Sequence, residues 1–384
     1  MKRIPELDGL RGIAILLVIG CHYEVFARQF WGLPKYGWVG VDLFFVLSGF
    51  LITSVLLNLR EQVKPFKTFY GRRIRRIIPP YVGFLVLLYL VTAALGDFTL
   101  YKRGTILRNV LFMQSFDSVS GVVKILLSGK GMSFAHIHLG PAIAVLQQPV
   151  SNAWGVLWSL SIEEWYYLLW APVVLWLKPR QAFVCGICIC LASFVMRWLG
   201  SQGTGAYYSI YHRFDAPVFG SLLALMIASN MPRRRLRSIL IFSGIIATAT
   251  LAIVLVSMGN VLGREIRQNH SFMVFGVPSL SLLAATAIGI CVTRSGAPFL
   301  FLLRSKPLCF MGTISYTLYL LHGFVYLCFV HFFFPTWTVS LTALSCAVLL
   351  SWASWTYFER PILEGGREAS LPRVQTEPEL TRVA

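Results

Sequence analysis

Charge is scarce in this 384-residue chain. Asp, Glu, Lys and Arg together make up 13% of it, and the acids are the scarcer kind, 16 against 34 basic residues. With 56% apolar residues and a mean hydropathy of +0.68, repeated apolar runs read as a polytopic membrane protein. In a soluble domain the net charge of +18 would point to nucleic acid. Here basic residues that set loop topology account for it, and no nucleic-acid partner is expected. Metal patterning is missing too. Cys185, Cys188 and Cys190 cluster among the eight cysteines but lack a partner set at ligand spacing, so they read as packing thiols, with no disulfide and no metal expected. His136 and His138 form a pair without a third ligand. The first apolar run has no small-residue cleavage site and continues through His22 and Glu24, so it reads as mature sequence rather than a leader.

Ten spans are predicted, near residues 11–29, 38–58, 79–96, 153–177, 182–199, 214–229, 238–258, 272–293, 311–334 and 337–357. Placing the N-terminus in the cytoplasm puts 23 of the 34 basic residues in inner segments, an asymmetry that favours an even span count. The expected architecture is therefore an all-α bundle of about ten transmembrane helices with both termini cytoplasmic, in the plasma (inner) membrane. Residues 1–362 form the membrane domain and 363–384 a disordered cytoplasmic tail. Trp31, Trp38, Trp154 and Trp337 fall at predicted outer ends, as an interfacial belt would place them. Within the outer segment 97–152, the apolar stretch Ile106 to Phe116 is too short to cross and reads as a surface or re-entrant helix.

Several ionisable residues fall inside these spans, where they are costly and mark sites. Arg11 and His22 lie eleven positions apart, on one face of a helix and about 16 Å apart along its axis. Asp42 enters the second span from the side His22 approaches, so an antiparallel pairing would set carboxylate beside imidazole; the alternative is a helix cap. Gly40, Ser48 and Gly49 read first as close-packing positions. Arg72, Arg73, Arg75 and Arg76 make a fork of donors suited to phosphate, although topology anchoring alone would explain such a run. Trp158, Ser161, Glu163 and Glu164 supply a polar cavity lining, the two glutamates diverging by about 100°. Arg213, Asp215, Tyr316, His322 and Glu359 are further candidates, with a satisfied buried histidine the alternative for His322.

Together these stretches resemble the acyltransferase 3 family of integral membrane O-acyltransferases. The matching segments are Glu6 to Gly12 leading to His22, Gly40 to Ile52, Arg72 to Pro79, Trp158 to Tyr167, Arg213 to Gly220, Ile314 to His322, and Phe358 to Pro361, spanning about residues 4–362. The resemblance implies an acyl-CoA donor, usually acetyl-CoA, arriving from the cytoplasm as a substrate rather than a bound cofactor. It also implies a hydroxyl acceptor on a carbohydrate or glycolipid, and a catalytic His at the end of an Arg-x10-His element, here His22. Some relatives carry a fused extracytoplasmic esterase-like domain, and a stand-alone transferase is expected here. On this reading Arg11, Arg72, Arg73, Arg75 and Arg76 hold the phosphates, and His22, oriented by Asp42, is the general base. Ser48, Trp158, Ser161, Glu163, Glu164, Arg213, Asp215, Tyr316 and His322 line the cavity. A proton-coupled transporter or flippase is the rival, and the lack of a clear inverted repeat of broken helices weighs against it.

Overall fold

A computed structural model describes residues 4–23, 25–26, 35–96, 103–116, 155–200, 205–229, 231–259 and 264–368. Among the described residues the chain is helical, without strands. The principal helices are α1 (Pro5–His22), α2 (Val39–Leu59), α3 (Pro65–Ala94), α4 (Arg103–Val110), α5 (Leu157–Trp176), α6 (Pro179–Gly200), α7 (Asp215–Ala228), α8 (Arg233–Ser257), α9 (Val277–Thr293), α10 (Lys306–Phe332), α11 (Trp337–Ser354) and α12 (Arg360–Glu368). A π-helical turn, Phe272–Gly276, leads into α9, and another, Trp355–Glu359, joins α11 to α12.

Seven helical segments among the described residues are long and apolar enough to cross a membrane: α2, α3, α6, α8, the run Phe272–Thr293, α10, and the run Trp337–Gly365. The other three predicted spans correspond to helices that miss those limits. α7 has only 14 residues, α1 carries Glu6, Asp8 and Arg11, and α5 mixes Ser159, Ser161, Glu163 and Glu164 into its apolar run. These three helices hold seven of the sixteen predicted site residues, among them Arg11 and His22. The first helix also starts and stops earlier than expected, opening on Pro5 and ending at His22, where Tyr23 turns extended.

Burial sorts the bundle into an inner and an outer ring. The apolar windows of α2 and α10 are 61% and 67% buried, whereas those of α6 and α8 are 22% and 17% buried and offer their remaining apolar faces to lipid. Inner helices must touch backbone to backbone, and small residues allow it. A Cβ at Gly220 of α7 would press on the Val46 carbonyl and lie 2.6 Å from the Phe50 nitrogen, and one at Gly49 of α2 would meet the Pro217 carbonyl. Gly220→Ala should therefore destabilise the protein by about 1–3 kcal/mol. Gly83→Ala, where the added carbon meets open space, should stay within about 0.5 kcal/mol. Thermal unfolding in detergent compares the two.

Trp38 is buried between Tyr207 and Phe272 rather than lying in an interfacial belt. The large aromatic neighbours give its ring more contact than a headgroup region would. Helix α4 has eight residues, about 12 Å of rise, so it cannot cross. It is tied to α3 through Tyr81, whose hydroxyl donates to the Asn109 carbonyl at 2.7 Å. The chain stays helical to Glu368, past residue 363. Trp31, Trp154, His136, His138, most of the 97–152 segment and residues 369–384 lie outside the described residues.

Candidate active site

Five helices converge on a cavity of about 90 Å³. α1 contributes Arg11, α2 Ser48, α3 Arg73 and Arg76, α5 Ser159, Glu163 and Tyr167, and α10 Ser315, Tyr316 and Tyr319. Its polar wall is a small network. The Tyr167 hydroxyl lies 3.1 Å from Ser48 Oγ and 3.0 Å from Glu163 Oε2, and Ser48 Oγ donates to Glu163 Oε1 at 2.9 Å. Opposite stands an excess of positive charge. Arg11 is 3.8 Å from Asp8, while Arg73 and Arg76 form no ion pair among the described residues. Arg73 lies over the rings of Tyr167 and Phe69, at 5.3 and 5.8 Å from their centroids. Three cations facing one cavity, with Arg11 alone in ion-pair reach of a carboxylate among the described residues, make a ready site for an anion.

Helix phase divides the arginine fork. Positions 73, 76 and 77 share one face of α3 and meet the cavity, whereas neither Arg72 nor Arg75 lines it. Of the four arginines expected to act together, only two do. The glutamates also separate, as their 100° divergence requires. Glu163 faces this cavity, and Glu164 faces a second one of about 210 Å³ on the other side of Arg73, Ile77 and Tyr167.

Beyond the cavity's upper wall stand two histidines. The Tyr319 ring is 5.7 Å from that of His322, which meets the His22 ring edge-to-face at 5.0 Å. His22 Nδ1 is 2.8 Å from the Val18 carbonyl, and His322 Nδ1 is 2.7 Å from the Tyr319 carbonyl. A carbonyl only accepts, so each Nδ1 carries the proton and each Nε2 keeps its lone pair. His322 is fully buried and its Nε2 has no partner, whereas the His22 side chain is exposed.

Asp42 does not meet His22. It accepts from Arg213 in a short buried ion pair and from the Tyr207 hydroxyl at 3.5 Å. Arg213 and Asp215 flank Phe214, where the short helical turn Ile210–Arg213 breaks before α7, and they point to different helices. Asp215 Oδ2 pairs with Arg197 of α6 at 2.6 Å, and Arg197 also donates to the His212 carbonyl. All four charged side chains are buried. They pin the start of α7 to α2 and α6, and neither Arg213 nor Asp215, expected as cavity lining, is among the residues that line this cavity. A guanidinium neutralises Asp42 better than a distant imidazole could.

Ser161 and Trp158 are also placed elsewhere. The Ser161 hydroxyl donates to the Phe112 carbonyl at 2.5 Å and lies 2.6 Å from Ser115 Oγ, holding the turn after α4, in which Phe112 adopts a φ of +52°. Trp158 packs edge-on against Phe45 and Tyr208. Tyr316 lines the cavity as expected, and its hydroxyl donates to the Ile77 carbonyl of α3 at 3.1 Å. Glu359 is buried in its π-helical turn, accepting from Thr317 at 2.6 Å and Ser354 at 3.1 Å. Ser159 and Tyr167 belong to the Trp158 to Tyr167 stretch whose Trp, Tyr and Ser side chains were expected to line a cavity; missed from the sequence were Tyr319, masked by the aromatic background of the chain, and Arg197. The signal for Arg197 was present: an arginine inside a predicted span needs an intramembrane carboxylate.

With this geometry in place, known proteins give a consistent answer. The model of one family, described as "Acyltransferase domain", matches residues 4–356. The chain belongs to the acyltransferase 3 family. Relatives include the peptidoglycan O-acetyltransferase OatA of Listeria monocytogenes, 29% identical over 341 residues, covering 84% of this chain and 49% of that protein. The O-acetyltransferase OatA of Staphylococcus aureus is 27% identical over 386 residues, covering 96% of this chain and 58% of its own length. The chain thus spans about half the length of the curated relatives it matches. No solved structure matches it. Family membership and seven apolar helices make it a multi-pass membrane protein of the plasma membrane.

Proposed function

We propose that this chain is a membrane O-acetyltransferase that moves an acetyl group from acyl-CoA, met on the cytoplasmic side, to a hydroxyl of a cell-envelope carbohydrate. The observation that carries the reading is the cavity that sets Arg11, Arg73 and Arg76 at one end and Tyr319, beside His322 and His22, at the other. At about 90 Å³ it is far smaller than the roughly 300–1,000 Å³ of a site that engulfs a whole ligand. A thread-like pantetheine arm suits such a passage. The nucleotide phosphates then stay at the mouth, bound by the three arginines.

His22 is the general base. The Val18 carbonyl fixes its tautomer, so Nε2 takes the proton of the acceptor hydroxyl as that oxygen attacks the thioester carbon, and collapse expels the CoA thiolate. This replaces Asp42, which the Arg213 ion pair occupies, as the orienting group. An acetyl-His22 intermediate is the mechanistic variant. The peptidoglycan acceptor of the Listeria relative supplies the substrate class for the first assays. Crossing of the bilayer by α1, α5 and α7 as well as the seven apolar segments gives ten spans and returns both termini to the cytoplasm.

The donor site is tested by acyl-CoA affinity in paired double variants. Arg73→Ala with Arg76→Ala should weaken binding by at least about 100-fold, at about 1.5–3 kcal/mol for each charged hydrogen bond lost. Arg72→Ala with Arg75→Ala should change it less than about threefold. Equal losses in both pairs would remove the cavity from the account and return the arginines to topology.

A further inference from the structure

The second cavity, between α3 and α5, is a site of a different kind. It measures about 210 Å³, and its walls include Ile74, Ile78, Leu111 and Leu168. Ile74, Leu111 and Leu168 are 57%, 48% and 49% exposed, so its mouth lies on the outer, apolar surface of the bundle, where lipid tails run. Most of its polar atoms are already used. The Tyr70 hydroxyl donates to the Leu168 carbonyl at 3.0 Å, the Trp165 indole to the Phe112 carbonyl at 3.0 Å, and Tyr167 is held by Ser48 and Glu163. Two groups remain, the Glu164 carboxyl and the Arg73 guanidinium, which stands between this cavity and the first. They face the same space without forming an ion pair, and Glu164 has no hydrogen-bond partner among the described residues.

An apolar cleft open to lipid, with a guanidinium and a carboxyl group at its polar end, is complementary to a headgroup that joins a phosphate to an ammonium, the ammonium supplying the countercharge that holds the carboxyl ionised. We propose that this cleft binds a phospholipid bearing a primary ammonium group, of the phosphatidylethanolamine type. The phosphate accepts from Arg73, the ammonium donates to Glu164, and the acyl chains lie against Ile74, Leu111 and Leu168. A purely anionic lipid would leave Glu164 opposed to its headgroup, and a quaternary ammonium has no N–H to donate. Arg73 is shared with the donor site proposed above, its guanidinium facing both cavities with five N–H donors, and the readout here is lipid occupancy rather than turnover.

The test is native mass spectrometry of the full chain in detergent, titrated with phosphatidylethanolamine, its mono- and dimethyl derivatives, phosphatidylcholine and phosphatidylglycerol of matched acyl chains. Affinity should fall stepwise with methylation, by about tenfold from phosphatidylethanolamine to phosphatidylcholine. Glu164→Gln, of nearly the same shape, should reduce that preference to within about twofold. Ile74→Trp, which fills the mouth, should lower occupancy by every lipid in the series. A wild-type chain indifferent to methylation or favouring phosphatidylglycerol, an unaltered preference in Glu164→Gln, or full occupancy in Ile74→Trp would each overturn the assignment.

Discussion

Replacing His22 with alanine is expected to lower acetyl transfer by about 10²–10⁴-fold while leaving acyl-CoA affinity within about threefold of wild type. Both halves follow from position. His22 is at the last turn of α1, about 16 Å of helix from Arg11, so its loss does not disturb the arginine end where the donor phosphates bind. Its side chain is exposed, and its one backbone hydrogen bond is to the Val18 carbonyl of its own helix, so the fold should lose little. The measurement is transfer of label from acetyl-CoA to a glycan acceptor by purified protein, with donor binding followed separately. Substantial residual turnover in the variant would require another base. His322 is then the group to examine, since its Nε2 is unpartnered and its ring touches that of His22.

Much of this molecule could be read from its residues. The apolar runs placed the long helices because hydropathy reports the bilayer directly, and Gly40 and Gly49 are close-packing positions, as expected. Arg11, Arg73, Arg76, Ser48, Glu163 and Tyr316 share one cavity because each lies on an inward helix face. Pairing was harder to foresee. Asp42 and His22 are at compatible depths in adjacent helices, but depth does not give rotation, and the turn after Tyr208 delivers Arg213 to the carboxylate first. A run of four arginines reads as one unit in sequence, whereas a helix turns successive side chains by about 100° and sends them to different surroundings. Span counting by composition likewise weakens at α1 and α5, where charged and polar residues depress the hydropathy that identifies a span, and at α7, where the helix is short.

The Asp42–Arg213 pair carries the largest expected effect on stability. Asp42→Ala or Arg213→Ala should each destabilise the protein by about 3–5 kcal/mol, because each leaves an uncompensated charge in a buried, low-dielectric site. Arg213 has little else to turn to: its other contacts are the rings of Tyr207 and Phe45, 4.7 and 5.7 Å from the guanidinium carbon, and its Nε and one terminal nitrogen have no partner. Removing both charges should cost less than the sum of the single changes, with a coupling of at least about 1 kcal/mol in a double-mutant cycle. Thermal unfolding and expression yield in detergent read the effect. An aspartate that served mainly to orient His22 would behave differently. Its alanine variant would stay folded and bind donor, would lose turnover as His22→Ala does, and would show no coupling to Arg213. Because Asp42 also shares Tyr207 with Arg213, loss of either charge should loosen the start of α7 against α2. Its reach into acetyl transfer would then follow the unfolding curve, with activity recovering on cooling, whereas the defect in His22→Ala should persist at every temperature at which the protein is folded.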